Sequence, residues 1–285
     1  MATPRDILRR YDIRPSKKLG QSFLVDGNTI SKIAAAGRIS PADVVVEIGA
    51  GLGVMTRDIA LAARQVIAVE LDPRLVEILR DQFSGDDHVE IYAGDFLKFD
   101  FSTKSIQYNS KIKVMGNVPY NISSPVIFHL LESRKAISDF TLMLQKEVVE
   151  RLISLPGHKS YGVPSVLLQM YAEVERLFDV SANCFYPRPK VESAVISGTF
   201  RKRPLFALDD EGFFRRLVKA SFAQRRKMLT NNLKSASFLE KLSPSGLEDA
   251  LREAAIDGKR RGETLDLQEF ARLANILKYR LTNPR

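Results

Sequence analysis

Val44-Val45-Val46-Glu47-Ile48-Gly49-Ala50-Gly51-Leu52-Gly53 is the stretch that decides the fold. Its first half is a β-branched run without polar alternation, the pattern of a strand buried on both faces. Its second half sets glycine at every second position, where a chain turns tightly and leaves bare main chain for a ligand to approach. Residues 54–63 then read as a helix. A glycine loop is informative when a strand precedes it and a helix follows. The spacing here is G-x-G-x-G. A dinucleotide fingerprint, G-x-G-x-x-G, needs glycine where Val54 stands, so pyrophosphate binding, and with it a nicotinamide dehydrogenase, is disfavoured.

Outward from that loop, strands and helices alternate. Residues 28–37 read as a helix capped by Asp26 or Asn28. Val66-Ile67-Ala68-Val69-Glu70 is a second strand, and Pro73 opens the next helix. Val89-Glu90-Ile91-Tyr92 is a third, ending at Gly94-Asp95, and Ile112-Lys113-Val114-Met115 a fourth, ending at Gly116-Asn117. A helix over 125–131, a strand over 139–145 and a helix over 147–153 follow. Residues 167–174 and 194–200 read as the last two strands, parted by the loop Phe185-Tyr186-Pro187-Arg188-Pro189. The alternation predicts an α/β chain with a mainly parallel, seven-stranded sheet covered by helices on both faces. Beyond Arg201-Lys202-Arg203-Pro204 only helices are predicted, over 213–222, 226–233, 245–255 and 267–277. The expected organisation is a basic arm or short helix over 1–20, a catalytic or ligand domain over 21–203 and a small all-helical domain over 204–285.

Composition narrows the class. A chain of 285 residues suggests about two domains. With 45% apolar and 27% charged residues it is neither disordered nor collagen-like. It has no apolar run of about 18 residues to span a membrane, and its basic start lacks the apolar core of a signal peptide. The single cysteine, Cys184, excludes an intrachain disulfide and a multi-cysteine zinc site. His88, His129 and His158 lack ligand spacing, so no metal is expected, and the expected compartment is the cytoplasm. The net charge of +9 is uneven. Residues 1–20 carry +4, residues 201–285 carry +8, and the middle carries −3. Cationic ends around an acidic middle fit polyanion-binding parts flanking a ligand domain; solvating charge explains the excess equally well.

The motif E-x-G-x-G-x-G, Glu47 to Gly53, resembles the first motif of class I (Rossmann-like) S-adenosylmethionine methyltransferases, whose cofactor carries no phosphate. Glu70 ends the second strand, where a carboxylate can accept hydrogen bonds from ribose hydroxyls; dehydrogenases place one there too. Asp95, at the end of the third strand, could accept from the cofactor's adenine amino group, although an Asp at a strand end is common. Asn117-Val118-Pro119-Tyr120 ends the fourth. Methylating an exocyclic amine requires a localised lone pair on a nitrogen that conjugation makes a poor nucleophile. The Asn117 side-chain oxygen and the Val118 or Pro119 carbonyl could accept its hydrogens, with Pro119 fixing the backbone. Tyr120 could stack on the base, a contact of roughly 1–3 kcal/mol.

With these residues in place the chain resembles the bacterial small-subunit rRNA adenine N6,N6-dimethyltransferases linked to kasugamycin sensitivity. The resemblance spans nearly the whole chain. It rests on Lys18-Leu19-Gly20-Gln21-Ser22-Phe23-Leu24, Glu47 to Gly53, Glu70-Leu71-Asp72 and Gly94-Asp95-Phe96. It continues through Gly116-Asn117-Val118-Pro119-Tyr120-Asn121-Ile122-Ser123, Gln145-Lys146-Glu147-Val148, Phe185 to Val195 and Arg225-Arg226-Lys227. It implies that Ser22, Leu24, Gly49, Gly51, Glu70, Asp95 and Asn117 contact S-adenosylmethionine. It also implies that Asn117, Pro119 and Tyr120 carry the chemistry, with Phe185 facing the target adenine; a core aromatic anchoring the loop is the other reading of Phe185. The family usually has Asn where Ser22 stands and Leu where Val118 stands, so the cofactor contact at 22 is in question. Cys184 reads as a buried filler, since direct displacement needs no covalent intermediate.

Lys219, Arg225, Arg226 and Lys227 are expected on one helix face that grips an RNA backbone. The resemblance implies two methyl transfers to each of two adjacent adenines of 16S rRNA, in an immature small subunit, by a monomer without metal. A base must be unstacked to reach Tyr120. No general base is evident beside Asn117, so the proton is expected to leave to water. A large-subunit rRNA adenine methyltransferase of the macrolide-resistance type shares this core, and the Arg225-Arg226-Lys227 segment argues against it. A non-catalytic RNA- or DNA-binding factor that keeps the fold is opposed by the intact Gly49, Gly51, Glu70 and Asn117-Val118-Pro119-Tyr120.

Overall fold

The computed structural model describes residues 4–16 and 19–283. Lys18, in the first motif segment above, lies outside the described residues. The chain divides into two units. One runs to Val149 and resumes over Glu173–Phe200; the other comprises Glu150–Ala172 and the chain from Arg201 on.

The first unit opens with helix α1 (Pro4–Arg10), so part of the basic arm is docked structure. Ile7 and Leu8 are buried among Phe23, Leu52, Leu75 and Ile78. Strand β1 (Phe23–Leu24) and helix α2 (Gly27–Ala36) follow, with Asp26 as the cap, its side chain accepting from Thr29 N at 2.8 Å. Such a cap contributes about 1 kcal/mol. Then come β2 (Val44–Ile48), α3 (Val54–Ala60), β3 (Gln65–Glu70), α4 (Pro73–Gln82), β4 (Val89–Ala93) and α5 (Phe101–Tyr108). The half continues through β5 (Ile112–Asn117), α6 (Ser123–Glu132), β6 (Ile137–Gln145) and α7 (Lys146–Leu152).

After an excursion into the second unit the chain returns for β7 (Ala172–Val180), β8 (Phe185–Tyr186) and β9 (Ser193–Phe200). Seven strands form one sheet in the order β4-β3-β2-β5-β6-β9-β7. β2, β3, β4, β5 and β6 pair in parallel, and β9 runs antiparallel to β6. All five residues of β2 are buried, which is why its sequence lacks alternation. The chain steps outward from β2 to β4 and then crosses back to β5, on the other side of β2. That reversal opens a crevice at the carboxyl ends of the strands, where such sheets bind ligands. The register puts Ile48 beside Val69 and Gly116, and Glu70 beside Ala93. The ends of β2, β3, β4 and β5 therefore meet at one edge.

The second unit is helical: α8 (Val163–Tyr171), α9 (Glu211–Ser221), α10 (Leu229–Lys234), α11 (Pro244–Glu253) and α12 (Leu267–Thr282). Phe214 and Phe270 are fully buried, and the Phe222 ring lies 6.0 Å from both Tyr161 and Phe270. The Tyr161 hydroxyl donates to Leu265 O at 3.0 Å.

Three sequence expectations are corrected. Residues 167–171 are helix, not strand. Val166, Leu167, Leu168, Met170 and Tyr171 are all buried, and a helix buried over most of its circumference shows little period by which to recognise it. The predicted break at 203–204 also misses that residues 150–172 belong with the helices: Arg201 N and Leu205 N donate to Tyr171 O and Met170 O, each at 2.8 Å. Arg225-Arg226-Lys227 lie in a turn between α9 and α10, not on a helix face. Among the described residues no helix is long and apolar enough to cross a membrane.

Candidate active site

At the carboxyl edge of the sheet lies a cleft open to solvent. Ser22, Gly49, Gly51, Glu70, Asp95, Asn117, Pro119 and Tyr120 all line it.

The glycine loop forms because its left-handed turns favour glycine. Gly49, Gly51 and Gly53 have φ of +63°, +59° and +71°. These left-handed turns bring the loop back over the strand ends, and a Cβ at Gly53 would stand 2.9 Å from Leu79 and Phe83. Glu70 holds the loop there. Only 7% exposed, its carboxylate accepts from Gly51 N at 2.8 Å, Leu71 N at 2.8 Å and Asp72 N at 2.9 Å. Burial raises its pKa, and the three N–H donors oppose that rise. These bonds use three of about four acceptor positions on a carboxylate, leaving one facing outward partners. Beneath the loop, Glu47 is 1% exposed and accepts from Thr56 Oγ1 at 2.5 Å. Burial pushes Glu47 up to about 8, so it is largely neutral near pH 7.

Asp95 caps a single turn of 3-10 helix, accepting from Leu97 N at 2.9 Å. Asn117 ends β5, and its amide nitrogen donates to Ser22 O at 3.2 Å. With Nδ2 tied back, Oδ1 is the end of the amide offered to a donor. Ser22 uses its own hydroxyl elsewhere, donating to Pro187 O at 2.9 Å. Tyr120 opens a 3-10 turn, and its hydroxyl lies 2.7 Å from Ser193 Oγ. Burial raises its pKa, so the ring is a neutral phenol.

The side chains of Leu24, expected to contact the cofactor, and of Phe185, read as facing either the adenine or the core, lie away from the cleft. Phe185 and Leu24 face each other across the β1–β8 pair, 3% and 6% exposed, in a core cluster with Ile30, Val180 and Val195. Neither lines the cleft, because that two-stranded pair turns both side chains inward. Cys184 packs against the same cluster. The sequence reading missed Leu71, a large apolar side chain 53% exposed in the cleft wall; its place directly after Glu70 was the available signal. It also missed Ser193, which lies 73 residues from its partner and gives no local signal.

The wall chemistry selects a cofactor. Among the described residues lining the cleft none is Lys or Arg, while Glu70 and Asp95 are carboxylates. Among those described residues a pyrophosphate would meet no cation. A positively charged sulfonium joined to a nucleoside suits it. Among the described residues no cluster of His, Cys, Asp and Glu could hold a metal ion.

In the helical unit, Lys219, Arg225, Arg226 and Lys227 are exposed. Arg225 is nevertheless committed: it pairs with Glu263 at 2.6 Å and donates to Lys159 O.

Comparison with known proteins agrees with this geometry. A family described as ribosomal RNA adenine dimethylase matches residues 14–276. The chain belongs to that family. Among its relatives, the ribosomal RNA small subunit methyltransferase A of Syntrophus aciditrophicus (strain SB) is 45% identical over 281 residues, covering 98% of this chain and 100% of that protein. The protein of the same name from Moorella thermoacetica is 43% identical over 280 residues, 96% of each chain. Of solved structures, a dimethyladenosine transferase from Plasmodium falciparum superposes with a TM-score of 0.77 at 25% identity, covering 88% of this chain and 95% of that one. The 23S rRNA methyltransferase ErmE gives 0.67 at 28% identity, covering 90% and 99%. The first unit has the class I S-adenosylmethionine methyltransferase fold.

Proposed function

We propose that the protein transfers methyl groups from S-adenosylmethionine to N6 of two adjacent adenines in small-subunit (16S) rRNA, giving N6,N6-dimethyladenosine. The observation that carries this reading is Asn117. Its amide is tied through Nδ2 to Ser22 O and offers Oδ1 in a cleft it shares with Glu70 and Tyr120. A side-chain acceptor at that point takes one amino hydrogen of adenine, and the Val118 or Pro119 carbonyl takes the other. Both bonds favour the pyramidal nitrogen whose lone pair attacks, which is stabilisation of the reacting geometry rather than of the ground state.

When bound, S-adenosylmethionine supplies an electrophilic methyl group. This chain's residues hold it. Gly49 and Gly51 give main chain for close approach, Glu70 accepts from a ribose hydroxyl with its remaining lone pair, and Asp95 accepts from the adenine amino group. Ser22 acts through its carbonyl on Asn117 and through its hydroxyl on the Pro187 loop, so the usual Asn is replaced here by a latch. Leu24 and Phe185 support the cleft from the core. Tyr120 stacks on the target base. No carboxylate replaces Asn117, and the proton leaves to water.

Arg226, Lys227 and Lys219 contact the RNA backbone, and Arg225 holds their turn in shape. The domain roles follow: cofactor and adenine in the sheet unit, backbone grip in the helical unit. The substrate is the rRNA of an immature small subunit, met in the cytoplasm by a monomer.

The test is tritiated-methyl transfer onto immature small subunits from cells lacking the enzyme, followed by nucleoside analysis. Labelled dimethyladenosine is expected, and its absence overturns the reading. Primer extension on both rRNAs separates small- from large-subunit activity.

A further inference from the structure

We infer that Ser193 is a positioning residue for the reaction, aiming the Tyr120 ring at the target adenine. The inference rests on the adenine-methylating reading above.

Ser193 is the first residue of β9 and pairs with Gln145 of β6, so its backbone is fixed by the sheet. The side chain is 0% exposed. A buried hydroxyl needs a partner to offset its lost hydration, and alanine would fill the same space without that need. The partner of this one is not a nearby carbonyl but the Tyr120 hydroxyl, 2.7 Å away on the wall of the cleft.

The far end of Tyr120 is thus tied to the sheet, and its near end to a turn in which Ser123 Oγ donates to Tyr120 O at 3.2 Å. Fixing the para oxygen fixes χ1, because that oxygen lies on the axis of ring rotation. The second torsion is biased too. Whether the phenol donates or accepts, its O–H and its acceptor lone pair lie near the ring plane, so a partner on one side favours one plane. A stacking ring must present a particular plane to the base, and tilt displaces N6 from its acceptors at Asn117. Ser193 also ends the loop whose other end is held by the bond from Ser22 to Pro187 O. The ring therefore reports where that loop sits.

The test uses the full chain as Ser193→Ala, Tyr120→Phe and the double variant. Methyl transfer to immature small subunits, calorimetric binding of S-adenosylmethionine and thermal unfolding are measured for each. Each single variant is expected to lower kcat by about five- to ten-fold, the size of one hydrogen bond, with cofactor affinity and the KM for RNA nearly unchanged. The double variant is expected to be no slower than the slower single one, because both substitutions cut the same bond. Wild-type kcat in Ser193→Ala overturns the proposal, as do two losses that multiply. If Ser193→Ala does not fold, Tyr120→Phe decides alone, since it cuts the bond from the cleft side; an unchanged kcat there overturns the proposal. A wild-type chain that forms no dimethyladenosine overturns the underlying reading and the proposal with it. An active wild type with unaffected variants overturns the proposal alone.

Discussion

Glu70 in the sheet unit and the Arg225-Arg226-Lys227 turn in the helical unit hold charge in opposite ways. Glu70 is 7% exposed, and three backbone N–H groups fix its two oxygens. Arg226 and Lys227 stand exposed on a short turn, which Arg225 anchors inward through Glu263. A buried carboxylate with one acceptor position left open works by position, so a small displacement costs it its ligand. Exposed cations work by number, and each contributes a screened, additive share. The lesson is that substitutions in the cleft should give large effects on single steps, and substitutions in the turn small effects graded by salt.

The largest effect tests the cleft. Asn117→Ala is expected to lower methyl transfer about 10²- to 10³-fold, the scale of losing a reacting-state hydrogen bond, while rRNA binding is largely spared. Tritium incorporation and filter binding measure the two, and full activity would sink the mechanism. Glu70→Gln comes next. Replacing a charged acceptor should weaken S-adenosylmethionine about 10- to 100-fold by calorimetry. Unchanged affinity would mean that Glu70 only rivets the loop.

The third prediction uses pH. Burial holds Glu47 near 8 in the folded chain against an ordinary value of 4.5. Between those values the unfolded chain has released its proton and the folded chain has not. The contribution of Glu47 to stability is therefore full below about 4.5 and falls as pH rises toward 8. Glu47→Gln should gain thermal stability relative to wild type between pH 5 and pH 8, and equal melting shifts at both ends would contradict the burial argument.

The smallest effects belong to the turn. Arg226→Ala and Lys227→Ala should each weaken rRNA binding a few-fold and reduce the salt slope by roughly 0.7–0.9. Arg225→Ala should instead lower the melting temperature, since it breaks the pair with Glu263. A salt-slope change as large as that of Arg226→Ala would erase the distinction between anchor and grip.

Much of this was legible in the sequence wherever one residue type had one job. The run Val44–Ile48 and the glycines after it announced a buried strand and its turn. Asp26 and Pro73 marked helix starts as expected. Helix α5 escaped because Phe101 is its one buried residue, so its apolar face is too thin to show a period. Helix α8 escaped for the opposite reason, since most of its residues are apolar and buried. Within the site, the strand-end residues were found because the chain direction itself places them. Phe185 was ambiguous because a loop aromatic can turn toward ligand or core, and only the pairing of β8 with β1 decides which. The bonds from Ser22 to Pro187 and from Tyr120 to Ser193 join residues 165 and 73 positions apart, beyond any local pattern.

The detour of residues 150–172 into the helical unit has a consequence for the newborn chain. β6 is made before the detour, and its neighbour β9 after it. Until residues 193–200 emerge, one edge of β6, from Ile137 to Gln145, has no partner strand. An open apolar edge invites pairing with other chains. The sheet unit, although it starts first, thus keeps that edge open until the chain returns. Its most vulnerable interval is set by how long the chain takes to pass through α8 and come back.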